Sequence, residues 1–216
     1  MNDSAPPYPG TLVLGLIGGV ASGKSFVAKQ LHARGAIIID ADSLGHQALH
    51  DPNIQSKLRA RFGDSIFVRK EVQRSALASL VFGPTSQHTA NRRDLEAIVH
   101  PWIRDQMHKQ IQTASLDPST PCVVLDAPLL LEGNWDEACD KVLFVDASSE
   151  LRQEFAKQRG WDITELERRE RSQLPLDIKR QRADWIITNT RDPIPFHQQV
   201  DALWKQIQIW KQDMMS

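Results

Sequence analysis

Five short runs of apolar, mostly β-branched residues recur along the chain. Several are nearly continuous in apolar character, which is typical of strands in a sheet that is covered on both faces. Segments with helical patterns lie between the runs, and this alternation predicts parallel strands joined by helical crossovers. The chain is therefore predicted to be an α/β protein with a parallel sheet and helices on both faces, the strands lying at residues 11–17, 36–40, 122–126, 141–146 and 185–188.

The first and last helices can be placed from their own signals. The helix after the first strand is predicted over residues 23–34, with Gly35 as its C-terminal stop. Val27 and Leu31 are four residues apart, so both can face the sheet. A closing helix is predicted over residues 194–214, and its apolar stripe consists of Val200, Leu203, Ile207 and Trp210.

Composition and charge narrow the class of protein. The 216 residues are 41% hydrophobic and 25% charged, and the formal net charge is −1. This balance is typical of a soluble globular protein and gives no reason to expect a nucleic acid or an anionic membrane as partner. No apolar run approaches the roughly 18 residues of a membrane helix, and residues 1–10 lack the features of a signal peptide.

Cysteine usage favours a reducing compartment. The chain contains two cysteines, Cys122 and Cys139, which is too few for a disulfide framework. A single bridge between them stays possible from the sequence, although a free cysteine is usually a small buried hydrophobe. Together with the composition, this usage predicts a cytoplasmic protein.

A glycine-rich segment after the first strand carries the strongest chemical signal. Its residues satisfy the pattern G-x-x-x-x-G-K-(S/T), and they are Gly18, Gly19, Val20, Ala21, Ser22, Gly23, Lys24 and Ser25. The segment begins at the end of a predicted strand and opens into a predicted helix, which is the context that a phosphate-binding P-loop requires. Backbone N–H groups and the positive end of the helix can then bind phosphate. Lys24 is expected to reach the β- and γ-phosphates, and the Ser25 hydroxyl is expected to bind Mg²⁺.

Carboxylates follow two of the predicted strands. Asp40 and Asp42 come at the end of the second strand, and Asp126 ends the third. Ligands of open α/β sheets bind beyond the carboxyl ends of the strands, which is also where the P-loop lies. We expect Asp42 to be the general base for an acceptor hydroxyl, Asp40 to bind Mg²⁺, and Asp126 to contact metal or acceptor. Alternatively, one carboxylate of the first pair caps the next helix.

Two long segments do not fit the alternation of strand and helix. Residues 41–119 show helical patterns without a convincing strand, and residues 150–182 are dense in charge. We interpret the first as a helical insertion that binds the acceptor and the second as a mobile helical lid. Solvated helices with ion pairs are the alternative interpretation of the second. The predicted organisation is a flexible tail over residues 1–10 and one P-loop kinase domain over residues 11–216, with its core at 11–40, 120–149 and 183–216.

Several of these residues together resemble the dephospho-coenzyme A kinase family. The resemblance covers residues 14–189 and includes the phosphate loop, the Asp40 and Asp42 ending, and a His100–Pro101 segment. Further residues that carry it are Arg74, Leu80, Val81, Phe82, Leu95, Asp126, Glu132, Arg159, Gln173, Ala183, Asp184 and Asn189.

The resemblance implies transfer of the γ-phosphate of ATP to the ribose 3′-hydroxyl of dephospho-CoA, the last step of coenzyme A synthesis, with Mg²⁺ as cofactor. It implies Asp42, Lys24 and Arg159 as catalytic residues, and Asp42, Arg74, His100 and Asp126 as substrate-binding residues. The ATP site would comprise the P-loop from Gly18 to Ser25 together with Phe26 and Asn189. Ser25 and Asp40 would bind the metal.

The chain departs from the pattern of that family at four positions. Ala21 stands where glycine is usual, which is tolerable if the backbone there does not need a positive φ. Phe26 stands where threonine is usual and is expected to change packing rather than chemistry. Phe155 and Lys179 stand where arginines are common, so the source of positive charge in the lid stays open among Arg152, Arg180 and Arg182.

Two other functions compete with this one. Another small-molecule kinase with the same scaffold would phosphorylate a nucleoside monophosphate or a metabolite hydroxyl. A GTPase-like switch would carry the guanine signature Asn-Lys-x-Asp, which does not occur in this sequence. Oligomeric state is not determined by any of these signals.

Overall fold

A computed structural model describes Tyr8 and residues 10–215 of the chain. The flexible tail predicted over residues 1–10 therefore lies largely outside the described residues. Tyr8 is buried, and its carbonyl accepts a hydrogen bond from the Thr11 N–H at 3.1 Å.

The described residues form helices, strands and two short 3₁₀ turns. In chain order the elements are β1 (Val13–Gly18), α1 (Lys24–His32), β2 (Ile37–Asp40), α2 (Ala41–Ala48), α3 (Pro52–Phe62), a 3₁₀ turn (Asp64–Ile66), β3 (Phe67–Val68), β4 (Glu71–Val72), α4 (Arg74–Val81), α5 (Ser86–Ser115), β5 (Val123–Asp126), a 3₁₀ turn (Trp135–Ala138), β6 (Lys141–Ala147), α6 (Ser149–Gln158), α7 (Ile163–Glu170), α8 (Leu176–Gln181), β7 (Trp185–Asn189) and α9 (Pro193–Met215).

The chain divides into two compact units. The first comprises the residues up to Asp40 and those from Lys109 onward, and the second comprises residues 41–108. Within the described residues of the first unit, five strands form one sheet in the order β2-β5-β1-β6-β7, and every neighbouring pair is parallel. The predicted α/β fold with a parallel sheet is confirmed.

Alternation along β1 explains how this sheet is covered. Successive side chains of a strand point to opposite faces. Leu14 and Leu16 belong to a buried cluster with residues of α1 and α9, among them Val27, Leu31, Val200, Leu203 and Ile207. Gly15 faces the other way, where an added Cβ would lie 2.5 Å from Leu130 Cδ2. The apolar stripe predicted for the closing helix is therefore core, and Trp210 packs against it partly buried.

The second unit is mainly helical, but the expectation of no strand there is wrong. β3 and β4 pair antiparallel, and the Arg69 and Lys70 between them have φ values of 50° and 71°. Two residues in the left-handed region are the geometry of a type I′ hairpin turn, for which Asn-Gly is the usual signal. Because that signal is missing here, the sequence pattern did not reveal the hairpin.

Three short helices, α6 to α8, occupy the segment that the sequence predicted to be a lid. The Ser148 hydroxyl accepts from the Leu151 N–H at 3.2 Å, and the Asp162 carboxylate accepts from the Glu165 N–H at 2.8 Å. These side chains satisfy N–H groups that have no partner within α6 and α7, so both helices begin at good N-caps. The mobility of this segment stays a prediction.

The described part of the chain contains neither a disulfide bond nor a helix suited to crossing a membrane. Neither Cys122 nor Cys139 forms a disulfide there. None of its helices is both long and apolar enough to cross a membrane.

Candidate active site

The phosphate loop connects β1 to α1, as predicted, and close contacts explain two of its glycines. An added Cβ at Gly18 would lie 2.5 Å from the Val145 carbonyl oxygen. At Gly23, where φ is +100°, it would lie 2.4 Å from the Asn189 amide nitrogen. Real Cβ atoms do not approach so closely, so a side chain at either position would displace the loop or its neighbours.

Polar contacts hold the loop in a curled conformation. The Ser22 N–H donates to the Gly19 carbonyl at 3.2 Å, and the Asn189 amide donates to the Ser22 carbonyl at 2.9 Å. The Lys24 ammonium donates to the same Gly19 carbonyl at 3.2 Å. Among the described residues, the Ser22 hydroxyl oxygen is one of a few buried polar atoms with no hydrogen-bond partner. Asn189 thus lies against the P-loop, and its contact with the nucleotide stays a prediction.

An alanine at position 21 would be tolerated without strain only if the backbone there did not need a positive φ, and the structure shows that it does. Its φ is +59°, in the left-handed region that costs an L-residue roughly 1–2 kcal/mol. The Ala21 methyl is buried in a small cluster with Ala156 of α6 and Leu166 of α7. Burying one carbon group stabilises by about 0.8 kcal/mol, so this packing offsets much of the backbone strain. Tertiary contacts with α6 and α7 therefore accommodate the alanine.

Phe26 packs as the sequence indicated. Its ring stacks on Phe196 of α9 with centroids 5.1 Å apart and meets the edge of His197 at 5.0 Å. The Phe26 N–H donates to the Gly23 carbonyl at 2.9 Å. The side chain is thus part of the packing between α1 and α9, and a contact of Phe26 with the nucleotide stays a prediction based on its place in the first helical turn.

Asp40 and Asp126 are neighbours on adjacent strands. They are paired residues in the register of β2 and β5, and Asp126 is also paired with Leu16 of β1, two residues before Gly18. Both carboxylates therefore lie at the carboxyl edge where the P-loop begins. Mg²⁺ in nucleotide sites is usually bound by one or two carboxylates together with phosphate oxygens and water, so these residues and Ser25 offer suitable ligands. Within the described residues, no three His, Cys, Asp or Glu side chains form a complete metal cage.

Three predicted substrate residues belong to the second unit. Asp42 lies in the first turn of α2, Arg74 begins α4, and His100 lies within α5. Helices α2 and α5 are in contact, since an added Cβ at Gly45 would lie 3.8 Å from Ile103 Cδ1. The role of Arg74 in binding the acceptor stays a prediction.

His100 lines a cavity along α5. The cavity measures about 490 Å³, and its lining includes Glu96, Pro101, Arg104 and His108. Burial and the positive charge of Arg104 lower the pKa of His100, while Glu96 opposes that shift. A neutral imidazole beside an arginine can accept or donate a hydrogen bond to a polar ligand.

Comparison with known proteins settles the family. The family model described as dephospho-CoA kinase matches residues 12–193, which is most of the chain. The chain belongs to the dephospho-CoA kinase family. It is 36% identical over 184 residues to the dephospho-CoA kinase of Rhodopirellula baltica, covering 85% of each chain. It is 38% identical over 199 residues to that of Symbiobacterium thermophilum, covering 89% of this chain and 80% of the relative.

Solved structures share the fold of this chain. A protein of Thermus thermophilus superposes with a TM-score of 0.77 at 31% identity, over 91% of this chain and 97% of that one. Dephospho-CoA kinase from Campylobacter jejuni superposes with a TM-score of 0.62 at 21% identity, over 92% and 98% of the two chains. At that identity the second match shows the fold alone.

Lys179, one of the departures from the dephospho-CoA kinase pattern, does not supply charge to the P-loop. Its side chain is fully buried and donates to Gln173 Oε1 at 2.8 Å and to the Pro128 carbonyl at 3.3 Å. Its ammonium lies 3.4 Å from a carboxylate oxygen of Glu132, which also accepts from the Leu174 N–H at 2.6 Å. Lys179 therefore links α8 to the loop that follows β5.

The arginines of the same segment have separate partners. Arg159 is the C-cap residue that follows α6, and it is exposed, with its guanidinium 5.4 Å from the Trp161 ring centroid. Arg180 pairs with Asp146, and Arg182 pairs with Asp136. Arg152 is buried and packs against Gly19 of the P-loop. Its place there was not assigned from the sequence, since nothing in a charged helix marks which arginine faces inward.

Proposed function

We propose that this chain transfers the γ-phosphoryl group of ATP to the ribose 3′-hydroxyl of dephospho-CoA, giving coenzyme A and ADP. The proposal is carried by a P-loop that connects β1 to α1 and lies within the segment, residues 12–193, that matches the dephospho-CoA kinase family. We also propose that the chain acts in the cytoplasm, as its cysteine usage and composition predict, with ATP and dephospho-CoA as its small-molecule partners.

The P-loop residues bind and orient the donor. The backbone N–H groups around residues 19–25 and the N-terminus of α1 favour phosphate oxygens. Lys24 exchanges its bond to the Gly19 carbonyl for the β- and γ-phosphates. Ser25 and Asp40 would supply oxygen ligands for Mg²⁺, with Asp126 beside them as a contact for the metal or the acceptor. The bound ion would neutralise charge on the phosphates.

Asp42 is the proposed general base. It lies two residues beyond the end of β2, and two residues of chain span at most about 7 Å, so it stays close to Asp40. An ionised carboxylate there accepts the proton of the acceptor hydroxyl as the oxygen attacks the γ-phosphorus. His100, Arg74 and the α5 cavity are proposed to bind the acceptor. Arg159 is proposed to stabilise the charge of the transferring phosphoryl group.

The test is release of ADP from ATP·Mg²⁺ with and without dephospho-CoA, with coenzyme A identified as product. Lys24→Ala and Asp42→Asn are compared with Lys29→Ala and Asp64→Asn, which change exposed residues of α1 and of the second unit. Both site variants should lose about 10²–10⁴-fold in turnover, Asp42→Asn with little change in ATP affinity. The two control variants should match the parent.

Each alternative outcome has a separate meaning. Normal turnover by Asp42→Asn would remove that residue from the role of base. Tight ATP binding without stimulation by dephospho-CoA would refute the proposed acceptor and direct the search to nucleoside monophosphates and metabolite hydroxyls.

Metal binding is tested by titrating Mg²⁺ at saturating ATP. Asp40→Asn should require several-fold more Mg²⁺ for half-maximal rate than the parent, because one hard oxygen ligand has lost its charge. An unchanged requirement would exclude Asp40 from the metal site.

A further inference from the structure

Arg152 is one of two buried cations in the described part of the first unit, with Lys179 as the other. It lies in the first turns of α6 and is only 8% exposed. A Cβ at Gly19 would lie 3.0 Å from Arg152 Cδ and 3.4 Å from its Nε. The arginine side chain therefore lies directly against the backbone of the phosphate loop.

Two cationic side chains contact the same residue of the loop, Gly19. Lys24 donates to the Gly19 carbonyl at 3.2 Å, while Arg152 packs over the Gly19 Cα. Like charges brought together near a partly buried backbone are unfavourable unless an anion lies between or beside them. A chain of phosphates bound by the loop would supply several negative charges at this place.

Glu170 is the anion that pairs with Arg152 in the structure. Its carboxylate, from the end of α7, accepts from Arg152 Nη1, and Arg152 Nε donates to the Ala147 carbonyl at 3.3 Å. The charges of Asp146 and Glu150 also act on the guanidinium, and burial lowers its pKa against their effect. Because the Glu170 side chain is one-third exposed, it can leave this pair for solvent at modest cost.

Phe155 and Arg152 both lie on α6 beside the phosphate loop. The Phe155 ring packs on the cluster of Val20, Ala21, Ala156 and Leu166. Arg152 lies three residues earlier on α6, and residues three apart share one face of a helix. The face of α6 that meets the phosphate loop therefore carries both the Phe155 ring and the Arg152 side chain.

We propose that Arg152 is a phosphate-binding residue for the nucleotide, and that it exchanges Glu170 for the phosphates of ATP when ATP binds. This rests on the proposed function, in which the P-loop binds ATP. A guanidinium is suited to the exchange because its planar fork matches carboxylate and phosphate oxygens alike. Glu170 then competes with the nucleotide for Arg152. The affinity for ATP therefore depends on the difference in free energy between the pairing of Arg152 with phosphate and its pairing with Glu170.

The experiment measures equilibrium binding of ATP, ADP and adenosine to the full chain, with no acceptor present. Arg152→Gln should weaken ATP by about 10- to 100-fold, the range for a charge-assisted hydrogen bond, and should leave adenosine within about threefold. Arg152→Lys keeps the positive charge but lacks the planar fork of the guanidinium, so its affinity for ATP should lie between those of the parent and of Arg152→Gln. A merely structural arginine would weaken ATP and adenosine equally.

A second variant tests the competition directly. Glu170→Gln removes the competing carboxylate, so it should tighten ATP by about threefold or more while leaving adenosine unchanged. Arg171→Gln is the matched control, because it removes an arginine of the same segment that pairs with another carboxylate, Glu167. It should bind ATP within about twofold of the parent.

The outcomes separate this proposal from the function on which it rests. Equal loss of ATP and adenosine binding in Arg152→Gln, or weaker ATP binding in Glu170→Gln, would overturn it. Parent affinity for ATP in Arg152→Gln, with dephospho-CoA turnover retained, would also overturn it and leave the kinase assignment intact. If the parent binds ATP but does not phosphorylate dephospho-CoA, the binding experiment still decides the role of Arg152.

Discussion

The contact between Gly23 and Asn189 allows one stability prediction to be worked in detail. Gly23→Ala places a methyl 2.4 Å from the Asn189 amide nitrogen, which donates to the buried Ser22 carbonyl at 2.9 Å. The methyl and the amide cannot share this space, so the variant must push the Asn189 side chain away and break the hydrogen bond. The backbone at Gly23, with φ at +100°, is strained by the same substitution.

The magnitudes follow from two separate costs. The left-handed backbone costs an alanine about 1 kcal/mol. Loss of the Asn189 bond leaves the Ser22 carbonyl buried and unpaired, which costs about 2 kcal/mol. Gly23→Ala should therefore destabilise by about 3 kcal/mol and Asn189→Ala by about 2 kcal/mol. The double variant should lose only about 3 kcal/mol, because the bond is lost once, and the coupling is about 2 kcal/mol.

Gly35→Ala is the control for the backbone cost alone. Gly35 has a φ of +102°, and an added Cβ there meets only Pro121, at 3.5 and 3.7 Å, which is ordinary van der Waals contact. This variant should lose about 1 kcal/mol. The assay is urea unfolding followed by tryptophan fluorescence without nucleotide, and the free energies of unfolding are compared across the double-mutant cycle. If the double variant loses the full sum of about 5 kcal/mol, the methyl does not displace the amide and the reasoning fails.

Two further predictions concern buried charge and pH. Lys179→Met should destabilise the folded chain by about 3 kcal/mol, because it leaves the Glu132 carboxylate without its cation. Combining it with Glu132→Gln should recover more than half of that loss, measured by urea unfolding. A double variant less stable than Lys179→Met alone would contradict this. Burial and Arg104 hold the pKa of His100 below its usual range, so the unfolded chain binds that proton first as the pH falls. The stabilising effect of His100 is therefore complete above about pH 6.5 and is lost progressively below it. As the pH is lowered from about 7.5 to about 5.5, His100→Gln should lose less stability than the parent. Equal losses in the two proteins would refute the lowered pKa of His100.

Much of the fold and the phosphate loop could be predicted because their signals are local. The apolar runs give the five parallel strands within about two residues at each end, since a strand covered on both faces must be apolar along its length. The glycines and Lys24 are consecutive along the chain, so the P-loop is recognisable without knowing any distant contact. The hairpin of β3 and β4 was missed because Arg69 and Lys70 are not residues that mark a type I′ turn.

The candidate site depended more on tertiary contacts. The sequence places Asp40 and Asp126 each at the end of a strand, but only the order β2-β5-β1-β6-β7 makes them neighbours. The sequence likewise contains several cations in residues 150–182 without showing that Lys179 pairs with Glu132 and that Arg152 lies on Gly19.

Sequence alone therefore determined the type of each long element, the phosphate loop and the resemblance to a kinase family, because neighbouring residues dictate backbone conformation and apolar pattern. Tertiary structure alone decided the strand order, the left-handed backbone of Ala21 and the partner of every buried charge. The physical reason is that these features are contacts between residues far apart in the chain. Such a contact forms only when packing brings two surfaces together, and many pairings of the same charges are compatible with the same local pattern.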